Sequence, residues 1–175
     1  MRKALIMMGV LDDTDAEWLS NHRSEYLTPG TVLIREGHPI EKLYILLDGE
    51  LSVQARSANN ESIASLLPGE IVGEISFVDG RPPSASVVAS KNSHVLVVSR
   101  ELLNRKLQAD LGFAARFYRA VALLLSTRLR NTVNYLGYGK WVETPDGDEL
   151  DEPLMDCVSS GTTRFDRLLK KLRTN

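Results

Sequence analysis

Hydrophobic positions change period several times along the chain. Between Leu11 and His22, "LDDTDAEWLSNH" sets Leu11, Trp18 and Leu19 on one side of a helix. Asp12, Asp13 or Thr14 can cap its start. Pro29-Gly30 then breaks the chain. From Thr31 the apolar residues come in short runs rich in Val, Ile and Leu, divided by turn residues: "TVLIREG", "KLYILLDGELSVQAR", "ESIASLLPGE" and "SASVVASKNSHVLVVS". They predict roughly seven closely spaced strands, and so a sandwich or barrel rather than alternating strands and helices. Asp48-Gly49 predicts a hairpin and Asn59-Asn60 a further turn.

After Ser99, an N-cap, the period becomes helical. "RELLNRKLQAD" is one helix, Gly112 a break, and "FAARFYRAVALLLSTRLRNTVNYLG" a second helix of about 37 Å. Its middle, Ala120 to Leu125, is apolar on every side. Such a segment is buried on two sides, one against the strands and the other against the same helix of a second copy. Residues 113–136 are therefore expected to form a homodimer helix, with Phe117, Val121, Leu124 and Leu125 at the contact. Glu143 to Asp156 then holds seven acidic residues and no basic one, with Pro145, Asp146-Gly147 and Pro153, and reads as a linker over 139–161. A basic amphipathic helix over 162–175 follows, with Phe165, Leu168, Leu169 and Leu172 on one face. That face is expected to pack on the chain itself or to dock on a protein partner, in preference to a membrane.

Composition narrows the function classes. The chain is 43% hydrophobic and 25% charged with a net charge of −2, which gives no global attraction to nucleic acid or anionic membrane. The opening apolar run is too short for a membrane span and reads as mature sequence. One cysteine, Cys157, excludes an internal disulfide and makes a reducing cytoplasm the default. His22, His38 and His94 lack metal-ligand spacing, so no metal site is expected. No arrangement of Ser, His and Asp suggests a nucleophile, so neither an enzyme nor a cofactor is expected.

The order of motifs resembles the cyclic nucleotide-binding domain family. Three features carry the likeness: Gly30 and Gly37 around a strand, "YILLDGEL" with Gly49, and "PGEIVGEISFVDG" with Gly69, Gly73, Glu74 and Gly80. The likeness runs from about Leu11 to Leu136. It implies an α+β fold: a β-roll or jelly-roll barrel over 31–98, after an N-terminal helical segment over 1–30. It places a phosphate-binding cassette at 68–89 and C-terminal helices over 99–138.

The resemblance also implies a ligand, cAMP or cGMP, and residues to hold it. Gly73 would admit the phosphate close to the backbone, Glu74 would accept from the ribose 2′-OH, and Ile75, Ser76, Ser84 and Ala85 would offer N–H groups. Thr132 falls where the long helix would meet the base. The family places an arginine just ahead of the Ser-Ala pair. Pro83 stands there in this chain, and Arg81, two residues earlier, is the candidate phosphate ligand if its long side chain curls back over the turn. A charged hydrogen bond contributes roughly 1.5–3 kcal/mol, so losing it should weaken binding about 10- to 150-fold. Only some 39 residues follow Leu136, without a recognition-helix pair, so specific DNA binding is not expected. Two functions fit: a regulatory module acting through protein contacts, or a ligand-free assembly subunit docked through its C-terminal tail.

Overall fold

In the computed structural model the described residues are 5–59, 61–135 and 152–173. Two short helices open the chain, α1 (Ile6–Val10) and α2 (Asp13–Ser20). Asp12 caps α2 through a reciprocal box: its carboxylate accepts from the Asp15 N–H, and the Asp15 carboxylate accepts from its own.

Eight strands follow among the described residues: β1 (Ser24–Leu27), β2 (Val32–Ile34), β3 (Lys42–Asp48), β4 (Leu51–Gln54), β5 (Ser62–Leu66), β6 (Ile71–Val72), β7 (Ser86–Ala89) and β8 (Ser93–Ser99). A short helix, α3 (Glu74–Asp79), sits between β6 and β7. The strands form two four-stranded sheets, ordered β1-β8-β3-β6 and β2-β7-β4-β5, a roll and not a closed barrel. The β-roll begins at Ser24 and not at residue 31, because β1 pairs with β8, Ser24 opposite Leu96. The first 30 residues are therefore only partly helical. Asp48-Gly49 is not a hairpin. β3 pairs with β6 and β8, β4 with β5 and β7, so this turn is the corner where the chain changes sheet.

Strand alternation builds two cores. Tyr44 and Leu46 of β3 with Val95 and Val97 of β8 point into the roll, against Leu51, Leu66 and Val87. Leu43, Ile45, Leu47, Leu96 and Val98 point the other way, toward the helices. That second core is closed by α4 (Arg100–Ala109) and α5 (Leu111–Tyr135). The break between them falls at Asp110, whose carboxylate accepts from the Phe113 N–H, while Gly112 lies inside α5.

Two packing expectations are corrected. Phe117, Val121 and Leu124 are buried in this chain's own core, with Leu125 partly buried against it, so they are not free to meet a second copy. The last helix, α6, runs over Glu152–Arg173 and starts ten residues before the expected 162, so Cys157 is helical. Its Phe165 and Leu168 are buried, and Leu169 and Leu172 pack beside them, against α1 and α2. Of the two roles expected for this face, it takes the first: it packs on the chain itself, which leaves it unavailable to a partner. Arg164 fixes the contact, donating to Asp13 at 2.8 Å and to the Met8 and Gly9 carbonyls at 3.2 and 3.1 Å. The acidic stretch 139–151 lies outside the described residues. Among those described, no helix is long and apolar enough to cross a membrane, and no cluster of three or more His, Cys, Asp or Glu could hold a metal ion.

Candidate functional site

The site is built where β6 ends and α3 begins. Gly73 joins them at φ +93°, a conformation L side chains rarely adopt. A Cβ there would stand 2.8 Å from Ile40 Cδ1 and 3.2 Å from the Lys42 carbonyl. The glycine is thus required by the fold itself, before any ligand is considered.

Glu74, the first residue of α3, is 2% exposed. Its Oε1 accepts from Arg128 Nη1, and Arg128 Nη2 donates to the Ile71 carbonyl at 3.0 Å. One guanidinium therefore ties α5 to the cassette at two points. Burial pushes the Glu74 carboxyl above its ordinary value, against the pull of Arg128 and of the Glu74 and Gly73 N–H groups. Glu70, half-buried nearby, is pushed the same way by burial. Arg128 opposes that rise and the Glu74 charge adds to it. Arg128 pairs with Glu74 and lends Glu70 only its nearby charge.

Of the remaining expected ligand residues, Ile75 and Ser76 follow Glu74 in α3, and Ser84 and Ala85 lie ahead of β7. Ile75 is exposed and Ser76 buried. The Ser76 carbonyl accepts from Arg100 at 3.1 Å, and the same guanidinium lies over the Phe77 ring. Phe77 meets Phe117 edge to face at 5.8 Å, a second tie between α3 and α5. Ser84 is exposed and Ala85 half-buried, just ahead of β7. The Pro83 carbonyl accepts from the Gly37 N–H at 2.8 Å, anchoring that stretch to the loop after β2.

Arg81 does not curl back toward Glu74. Its N–H donates to Asp79, and it lines a separate cavity of about 340 Å³ with Glu41, Ser76 and Arg100, at the far end of α3. Thr132 is exposed one turn beyond Arg128, and its hydroxyl donates to the Arg128 carbonyl. The structure therefore brings together Gly73, Glu74 and a residue sequence reasoning missed, Arg128. The available signal was an arginine one turn before Thr132, facing a cassette glutamate that would otherwise be buried without a cation.

Comparison with known proteins bears on the fold that carries this site. Residues 24–110 match the family model described as the cyclic nucleotide-binding domain. The chain is 30% identical over 93 residues to a cAMP-dependent protein kinase regulatory subunit of Hypocrea atroviridis, 53% of this chain and 20% of that protein. It is 33% identical over 79 residues to a cGMP-dependent protein kinase of Eimeria tenella, 45% of this chain and 8% of that one. It thus spans about a fifth or less of the length of these curated relatives. Among solved structures, a cyclic nucleotide-binding domain from Methylobacillus flagellatus is similar at a TM-score of 0.68 and 26% identity, covering 82% of this chain and 86% of that one.

Proposed function

We propose that this chain, which belongs to the cyclic nucleotide-binding domain family through residues 24–110, is a non-enzymatic regulatory module that acts through protein–protein contact in the cytoplasm, its cassette latched to α5. The observation that carries this reading is the Arg128–Glu74 pair. It fills the place where the resemblance would put a ribose hydroxyl, and it holds the long helix against the cassette.

Charge supports weak nucleotide binding. Arg128 is already paired with Glu74, its charge also acts on Glu70, and Pro83 supplies neither a cation nor an N–H. A cyclic phosphate would add a further negative charge to a partly buried site without a counter-charge of its own. A nucleotide that entered would have to take Glu74 from Arg128, and so would favour the conformation in which α5 is released. Relatives named for cAMP and cGMP dependence make these two nucleotides the ones to test.

The test is calorimetry of cAMP and cGMP on the natural chain and on Pro83→Arg. The natural chain is expected to give no saturable heat below high micromolar ligand, and Pro83→Arg to bind about 10- to 150-fold tighter. Tight binding by the natural chain, unchanged by Pro83→Arg, would overturn the reading.

A further inference from the structure

The outward face of α5 carries an apolar seam that the fold leaves uncovered. Leu111 is 80% exposed, Tyr118 49%, Leu129 65% and Val133 39%, with Ala115 and Ala122 exposed between them. Positions 111, 115, 118, 122, 125 and 129 alternate steps of four and three, with 125 the one of them that is half-buried against the core. That is the 3.5-residue period of a helix that packs along another helix. Ala115 and Ala122 leave hollows between Leu111, Tyr118 and Leu129, of the kind that accept large side chains from a facing helix. Phe113, Phe117, Ala120, Val121 and Leu124 face the core from an adjoining side of α5, and half-buried Leu125 lies on the border, so most of the seam is additional to the packing that holds the domain together.

Charge decides what fits. α5 holds four arginines and no acidic residue. Arg116 is taken by Asp12 and Asp15, and Arg128 by Glu74. Arg119 and Arg130 flank the seam, exposed, and make no ion pair among the described residues. A second copy packed here would bring these arginines against a helix equally free of carboxylates, in either orientation. Like charges at such flanking positions oppose pairing, and opposite ones favour it.

We infer that the α5 seam docks an acidic amphipathic helix of another protein, with large aliphatic residues along its stripe and Glu or Asp beside them. This rests on the reading that the chain works by protein contact, and it names the surface and the chemistry of the partner.

The experiment uses the full chain and two synthetic helical peptides of about 25 residues, long enough to cover α5. Both carry Leu at every stripe position; one has Glu at the flanking positions, the other Lys. The glutamate peptide is expected to bind one-to-one, about tenfold or more tighter than its twin, and more weakly as salt rises. Leu129→Glu should abolish binding. Arg119→Glu combined with Arg130→Glu should reverse the preference, with the melting temperature unchanged, since both side chains are exposed. Equal binding of the two peptides, or binding of neither, overturns the inference. So does a free chain that sediments as a dimer and is split by Leu129→Glu, because the occupant is then a second copy. Nucleotide calorimetry on the double arginine variant should match the natural chain, so a failure of the latch reading and a failure of this one are told apart.

Discussion

Arg128 and Glu74, 54 residues apart in the chain, meet as a buried carboxylate under a guanidinium that is about a third exposed. The pair is the main polar link between α5 and the cassette. Arg128→Ala leaves the Glu74 carboxylate buried without its cation. Exposed pairs contribute up to about 1 kcal/mol, and breaking a fully buried one costs about 3–5 kcal/mol. An intermediate loss of about 2 kcal/mol is expected in urea unfolding. The double variant Arg128→Ala with Glu74→Gln should lose clearly less than the sum of the singles. Additive losses would mean that the two side chains do not interact in solution.

Glu70 gives the site a pH signature. Burial raises its folded-state value, against Arg128. A carboxyl raised on folding holds its proton more tightly in the folded than in the unfolded chain. Its penalty is therefore absent below the unfolded value, near 4.5, and complete above the raised folded value. Glu70→Gln removes it. Thermal melts should show the variant more stable than the natural chain at neutral pH, with the difference shrinking as pH falls through the folded value toward 4.5. A difference independent of pH would show that Glu70 acts through its hydrogen bond to the Leu67 N–H and not through its charge.

Gly73 separates backbone strain from packing. Gly73→Ala must hold a side chain at φ +93°, about 1–2 kcal/mol, and must also push on Ile40 Cδ1 at 2.8 Å, about 1–3 kcal/mol more. Ile40→Val removes that Cδ1 atom at a cost of about 0.5–1.5 kcal/mol. In the Ile40→Val background, Gly73→Ala should cost less, leaving the conformational part and the crowding against the Lys42 carbonyl at 3.2 Å. An equal cost in both backgrounds would place the whole effect in the backbone.

Much of the fold was legible because local patterns determine it. The Leu-rich run of β3, the Val-rich run of β8 and the long helical period of α5 needed no partner to be read. What failed depended on distant contacts. The Asp48-Gly49 turn looks the same whether its flanking strands pair or part to different sheets. β1, with sequence SEYL, is short and half-polar, and is a strand because β8 offers it an edge. The start of α6 reads as linker because it is acidic and holds Pro153, yet both suit the first turn of a helix. The cassette's glycine and glutamate were readable from their spacing. Arg128 was not, since its role appears only when α5 folds back over β6 and α3.

The crossing of α6 over α1 provides the last test, and it turns on two glycines with opposite expectations. At Gly161 a Cβ would stand 2.3 Å from the Leu5 carbonyl oxygen and 2.9 Å from the Gly9 nitrogen. Both are backbone atoms and cannot swing aside. Gly161→Ala should therefore lift α6 from α1, loosening the burial of Phe165 and Leu168 and the bonds from Arg164 to Met8 and Gly9. A loss of about 2–4 kcal/mol is expected, with faster proteolysis within 152–173. Gly112 lies in the first turn of α5, where a Cβ would meet side-chain atoms of Arg116 and Asp110, at 3.2 and 3.4 Å, which need give by only a few tenths of an ångström to keep their own bonds. Gly112→Ala should instead stabilise by up to about 1 kcal/mol, because alanine loses less backbone freedom on entering a helix. If Gly161→Ala were as harmless as Gly112→Ala in urea unfolding, α6 would not be seated on α1 in solution, and the tail would again be free to dock elsewhere.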